Sequence, residues 1–521
     1  MLRLEPMRPV DPLASGSGAG QLKLVALVGA LLMVGNANAQ SLLIRPSLDT
    51  RLTYSDNINS ASDNEKSDWV AEVAPAIAIS REEGPVTGRF RATLRNVVHG
   101  SETDRNTSFV ALQGNGQIEA VKDRLFVDMD AATSRNNTSG IFGRASQDFL
   151  GTDSSNETRQ FSIGPRLLFR VGDAQGAASY RLRWFDGGGA LLRRTVGNSQ
   201  IDLSDPTAFG RSGWGLSYGR TDTRYYEGVR NDLTEEIARA TLFLNLSAKL
   251  RLHGNVGYES NDYSFTEEKG TTAGAGFEWH PTPRTLVAGD AEDRFFGRSY
   301  SLKLSHRRPL SAWDFSFSRS ITSSLDTNGS VFNDPAFRSL YDGLAAAIPD
   351  PLQREAFVRL LLGYPAPSAR SSLVTNSFFV SRTLRGSFSL IGARNIMTFS
   401  LQRSDNSRLG DPLVSDIRDD GGRDDFAEFN KIESDSATLS LNRRLSSRTS
   451  LNASLTKSRS SGARSRRDGR DAETRRTILS VGLSRQLGAY TNGALTYRHQ
   501  RADGTADFTE NVLTASLGMQ F

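Results

Sequence analysis

The sequence predicts an all-β fold, a transmembrane antiparallel β-barrel of about 22 strands (range 18 to 22). Three observations carry it: a strictly alternating carboxy-terminal segment, an export-type leader and a composition too polar to fill a large soluble core. From Asn511 to Phe521, Leu513, Ala515, Leu517, Met519 and Phe521 share one face, while Thr514, Ser516, Gly518 and Gln520 share the other. A period of two is a strand, not a helix.

A last strand with one apolar face and a terminal aromatic is like the segment by which bacterial outer-membrane barrels are recognised for assembly. Phe521 is therefore the candidate assembly signal, with the barrel-assembly machinery as an expected partner. A soluble β-sandwich ending on a half-buried strand shares the alternation and is the alternative.

The amino-terminal end agrees with the membrane reading. Leu22 to Val34 is an apolar run preceded by Arg3, Arg8 and Lys23, and Ala37-Asn38-Ala39 is a small-residue cleavage site. Residues 1–39 thus read as a cleaved signal peptide and 40–521 as the barrel. The run is shorter than the ~20 residues a helical span needs. With no cysteine in the chain, disulfides, thiol catalysis and thiolate metal sites are excluded.

Hydrophobic residues make up 37% of the chain, glycine reaches 47 residues and mean hydropathy is −0.41. A barrel reconciles these values, because its apolar residues form only an outward band around a polar interior. Short turns are expected near Glu82 to Pro85, Val121 to Asp123, Gly172 to Gln175, Asp205 to Thr207 and Ala248-Lys249. Five more are expected near Pro281 to Pro283, Arg308-Pro309, Leu384-Arg385, Leu445 to Ser447 and Gln486 to Gly488. Ten hairpins plus a first and a last strand give the even number that single-chain bacterial barrels adopt, with short periplasmic turns and longer outer loops.

Strand alternation also assigns the faces. Trp313, Phe315 and Phe317 alternate with Asp314, Ser316 and Ser318, so the aromatics are expected to meet lipid. Between Phe161 and Val171, Arg166 and Arg170 fall opposite the apolar set, as do Arg181 and Arg183 between Tyr180 and Trp184. Arg89, Arg91 and Arg95 repeat the arrangement. A lipid-facing Arg costs about 2–4 kcal/mol at the bilayer midplane, so all seven are expected to face the lumen. Of the 63 Lys and Arg, 55 are Arg, whose planar fork binds carboxylate or phosphate. Two outcomes stay open: a ladder that conducts or binds an anionic solute or an anionic exopolysaccharide, or arginines that simply pair with the 58 acidic residues. Removing the leader changes the net charge only from +5 to +4, and nucleic acid is not an expected partner.

Two segments break the pattern. In 325–372, Phe337, Leu340, Leu344 and Ala347 follow helical spacing, and Asp350-Pro351 opens a second helical run that Gly363 ends. This predicts a helical insert within a barrel loop. Asp405 to Asp435 reads as an acidic outer loop centred on Asp419 to Asp425. Its carboxylates suit calcium chemically but match no calcium-loop spacing, so a solvated loop is favoured. His99, His253, His280, His306 and His499 are scattered, and no nucleophile elbow, phosphate loop, dinucleotide motif or zinc signature is present. No cofactor, metal or catalytic residue is assigned.

Leu52-Thr-Tyr54-Ser-Asp56-Asn57, the loop from Asp350-Pro351 through Gln353-Arg354-Glu355 to Leu360-Leu361, and Gly392-Ala393-Arg394-Asn395 through Phe399 to Ser404 carry a resemblance. Together they resemble an uncharacterised group of outer-membrane barrels that accompany the PEP-CTERM/exosortase sorting system and its exopolysaccharide genes. The resemblance implies a non-catalytic pore, or an export or anchoring component for surface polysaccharide or sorted proteins. A closed structural or adhesion barrel, whose outer loops hold surface polymer, is the alternative. Outer-membrane lipid and lipopolysaccharide are the expected surroundings.

Overall fold

The computed structural model describes residues 42–81, 83–137, 155–187, 191–226, 232–262, 267–322, 375, 378–409, 426, 429–464, 471–505 and 507–521. The leader and the 325–372 insert lie outside the described residues. Twenty-two strands follow one another around a single sheet. The first six are β1 (Leu42–Ser55), β2 (Asp68–Arg81), β3 (Val86–His99), β4 (Thr107–Val121), β5 (Leu125–Asn137) and β6 (Ser155–Val171). Then come β7 (Ala174–Gly187), β8 (Leu191–Phe209), β9 (Ser212–Tyr225), β10 (Leu233–Ser247), β11 (Leu250–Asp262) and β12 (Glu267–Thr282). The wall continues through β13 (Thr285–Arg294), β14 (Gly297–Arg308), β15 (Ser311–Thr322), β16 (Phe379–Ile391) and β17 (Asn395–Arg408). It ends with β18 (Phe429–Arg444), β19 (Thr449–Arg464), β20 (Ala472–Gln486), β21 (Thr491–Gly504) and β22 (Phe508–Gln520).

Every strand pairs antiparallel with its sequence neighbours. Ser47 to Ser55 of β1 run against Gln520 to Val512 of β22 and close the cylinder. Closure follows from the solvent: in hydrocarbon each unpaired backbone N–H or C=O costs several kcal/mol, so a spanning sheet keeps no free edge. Where the β4–β5 ladder stops at Gln113 and Ala132, a side chain takes over. Leu112 N donates to Thr133 Oγ1 at 2.7 Å, and Thr133 Oγ1 donates to the Val110 carbonyl at 2.9 Å.

The two faces separate as alternation demands. In β2, Trp69, Val73 and Ile77 point outward with 40–52% exposure, while Val70, Glu72 and Ala74 between them are buried. Leu242 and Val256 are more than 60% exposed, the opposite of a soluble core. Aromatic residues border this apolar band at both ends. Tyr54 lies 5.0 Å from Trp69 at the outer end, and Trp313 lies 4.2 Å from Phe388 near the turn end. Such girdles mark the two membrane interfaces.

Eight of the ten expected short turns lie at or beside hairpin turns. The other two are displaced, each for a physical reason. Asp205-Pro206-Thr207 has turn chemistry, with Thr207 N bonded to Asp205 Oδ1 at 3.0 Å, yet it forms an irregularity inside β8 where the register shifts before Phe209. The reversal comes at Gly210-Arg211, where Gly210 takes φ +77°. Leu384-Arg385 lies inside β16 opposite Phe317 and Ser316, and the turn is Gly392-Ala393-Arg394. Asp405 and Asp435, expected as the ends of an acidic loop, belong to β17 and β18, and 410–425 lie outside the described residues. Outer connections are also unequal, since Phe295 and Phe296 alone join β13 to β14.

Glycines on the inner face let neighbouring side chains lie along the wall. A Cβ at Gly274 would meet Glu292 and Asn255, and one at Gly276 would meet His253 and Asp290. At Gly213 it would run into backbone atoms of Asp205 and Pro206, whereas at Gly386, on the outward face, the nearest atom is Phe315 Cδ2 at 3.8 Å. Gly213→Ala should therefore destabilise the barrel by about 1–3 kcal/mol, while Gly386→Ala should be nearly neutral. Urea midpoints of the vesicle-folded proteins check this contrast.

Candidate functional site

The candidate site is the inner wall, and the register assembles it from residues far apart in sequence. In the first sector, Arg51 Nη1 lies 3.1 Å from Glu72 Oε2, Arg95 Nε 2.5 Å from Glu72 Oε1 and Arg91 Nη2 3.3 Å from Asp49 Oδ2. One carboxylate thus holds two arginines from two strands. In the second sector, Arg166 donates to Asp128 at 3.0 Å and Arg181 to Asp130 at 2.6 Å, while Ser162 donates to Asp130 and Gln117 to Asp128. The third sector spans β10 to β13. Arg239 grips Glu292 with both branches of its fork at 2.6 and 2.8 Å, and Arg294 donates twice to Glu259, at 2.9 and 2.6 Å. Glu259, fully buried, also accepts from Phe295 N at 2.9 Å and so fastens the shortest outer turn.

A fourth sector lies beside the closing seam. Glu510 of β22 accepts from Ser55 Oγ of β1 at 2.8 Å and from Arg498 Nη2 of β21 at 2.9 Å, with 1% of its surface exposed. Just above, Asp56 accepts from both Asn511 N and Asn511 Nδ2 at 2.7 Å, and Asn57 Nδ2 donates to the Thr509 carbonyl at 2.8 Å. The residues after β1 then turn into the mouth, where Ile58 is buried with Val70 and Val97. Asp56-Asn57 is thus the clamp that locks first strand to last.

The seven arginines singled out by alternation fall into two groups on the wall. Arg89, Arg91 and Arg95 lie on β3, Arg91 and Arg95 joining Asp49 and Glu72. Arg89 stands opposite Ser80 and Asn115. Arg166 and Arg181 converge on the Asp128–Asp130 pair, Arg183 stands opposite Ser162, and Arg170 lies exposed beside Gln175 near the turn end. What alternation alone missed is the carboxylate partners of Arg91, Arg95, Arg166 and Arg181, because groups such as Asp128 and Arg166 meet only through strand pairing. Phe521 follows β22 at the turn end, 73% exposed, its N–H bonded to the Pro46 carbonyl at 3.0 Å.

The histidines are dispersed over the wall. His99 is buried beside Asp68 at 3.3 Å, His253 lies on the inner face beside Asp290 at 2.8 Å, and His499 on the outer face contacts Asn511 at 2.8 Å. Among the described residues no three His, Asp or Glu side chains are placed to hold a metal ion.

A closed antiparallel cylinder, apolar outside, aromatic at both borders and charge-paired inside, is an outer-membrane β-barrel protein. No family model and no curated protein sequence matches this chain. Among solved structures, the FrpB iron transporter from Neisseria meningitidis is similar in fold, with a TM-score of 0.50 at 9% identity, over 92% of this chain and 83% of that one. The siderophore receptor PirA from Acinetobacter baumannii gives 0.47 at 8% identity over 92% and 80%. OccK5 (OpdH) of Pseudomonas aeruginosa gives 0.33 at 11% over 92% and 98%.

Removing one partner of a buried, hydrogen-bonded charge pair costs about 3–5 kcal/mol, whereas replacing both with apolar residues is often nearly neutral. Glu510→Ala should therefore lower barrel stability by about that amount, and Arg498→Leu combined with Glu510→Leu should recover most of it. Urea unfolding of the vesicle-folded variants measures both.

Proposed function

We propose that the barrel is a non-catalytic passage for a polar, polyhydroxylated polymer, acting in the export or anchoring of exopolysaccharide or of sorted surface proteins. The observation that carries the reading is the inner wall itself: a 22-strand cylinder lined by arginine–carboxylate pairs in four sectors. Barrels of this width leave an aqueous lumen or need a plug to close it. Sugar hydroxyls donate and accept at once, and paired guanidinium and carboxylate groups offer both functions around the circumference. Because the pairs cancel much of the lumen field, anion preference should be modest. The resemblance to barrels accompanying exosortase and exopolysaccharide genes supports the choice of substrate class.

A closed scaffold is the second reading, favoured by the inward turn after β1 that buries Ile58 at the mouth. Its outer loops would then hold the polymer. Planar-bilayer recording of the refolded chain separates the two. The passage reading expects current from the intact protein, or current that appears on deletion of residues 330–365. Arg91→Ala and Arg181→Ala, which strip Asp49 and Asp130 of a partner, should shift permeability toward cations. Silence from both the intact and the deleted protein ends the passage reading.

A further inference from the structure

We propose that the outward face of β17–β21, immediately beyond the apolar band, is a docking surface for phosphorylated glycolipid of the outer leaflet, the lipopolysaccharide class. The proposal rests on the outer-membrane placement of the barrel and not on whether the lumen conducts. Cross-strand register divides this face into rows. The last apolar row is Phe399, Leu439, Leu455 and Leu479. Residues two apart along a strand share a face about 6–7 Å apart, so the next row outward is Leu401, Ala437, Lys457, Thr477 and Arg501, with two cations and no acid. Beyond it stand Arg403, Asp435, Arg459, Arg475 and Asp503. The third row reverses sign, with Asp405, Glu433, Ser461 and Glu473, flanked on β16 by Arg382.

The two rows next to the acyl chains therefore hold five cations against two acids, and the acids gather one row farther out. That polarity complements a headgroup whose phosphates sit at the boundary between acyl chains and sugar. Long basic side chains suit the position, since their stems cover apolar surface while their heads reach the polar layer, and guanidinium matches phosphate geometry.

Two further observations separate this patch from an ordinary charged surface. Arg459 and Arg475 stand directly opposite one another, a like-charge pairing that disfavours the sheet. Glu473 bridges them at 2.9 and 2.7 Å, yet their side chains stay 54% and 70% exposed and free to meet a second anion. On the other side of the barrel, Arg220 just beyond Tyr218 is held by two carboxylates, Asp222 at 2.8 Å and Glu236 at 2.6 Å, whereas in the patch Glu473 is one carboxylate for two cations and Arg501 meets Asp503 at 3.0 Å.

Native mass spectrometry of the full refolded chain in detergent, titrated with bis-phosphorylated lipid A, tests this. The expected result is bound lipid A that inorganic phosphate in large excess does not displace. Dephosphorylated lipid A should bind about tenfold more weakly, and Lys457→Gln with Arg475→Gln and Arg501→Gln should cause a similar loss. Arg220→Gln should leave binding unchanged. Folding is verified by heat-modifiable migration, and Lys457→Gln alone, expected to lose about threefold, replaces the triple variant if that does not fold. Equal binding of dephosphorylated lipid A, displacement by inorganic phosphate, an equal loss in Arg220→Gln or unchanged binding by the tested patch variant would each overturn the proposal.

Discussion

Pairing of every backbone edge is the constraint on which the rest of this molecule depends. A sheet in hydrocarbon cannot leave a strand edge to water, so β1 must find β22 across nearly the whole chain. The side chains nearest that seam bond directly across it. Ser55, Asp56 and Asn57 follow one another at the end of β1 and reach Glu510, Asn511 and Thr509 in turn. They fix the register of closure, where a slip of one residue would exchange the lipid and lumen faces. Thr133 applies the same logic locally by standing in for a missing backbone partner.

Closure makes a large apolar core unnecessary, and the composition follows. Stability is spread over ladders and over inner-wall ion pairs that are individually modest but share partners: Glu72 serves Arg51 and Arg95, and Asp130 serves Arg181 and Ser162. Glycines beneath Arg239, His253 and Glu292 keep these groups flat against the wall. The described part of the inner wall, lined in this way, is polar.

Alternation and turn chemistry made the architecture legible, because both are local properties. They failed where a local signal had two structural meanings. Asp205-Pro206-Thr207 has the composition of a hairpin turn and serves as an irregularity within β8, whose register Asn245 secures by donating to the Pro206 carbonyl. At Leu384-Arg385 the following Gly386 leaves room beside Phe315 instead of reversing the chain. The pairing of Arg181 with Asp130 could not be read from one strand, since the two are 51 residues apart. The closure clamp and the sign-sorted rows on β17–β21 are properties of register, and register exists only once strands are paired.

The wall is not of even height. β8 runs for 19 residues and β13 for only 10, with Phe295 and Phe296 turning the chain directly into β14. Glu259 and Arg294 brace that low point, so it is a fixed notch in the rim. Among the described residues the β13–β14 side is therefore the low side of the wall, so the rim presents its inner face unequally around the circumference.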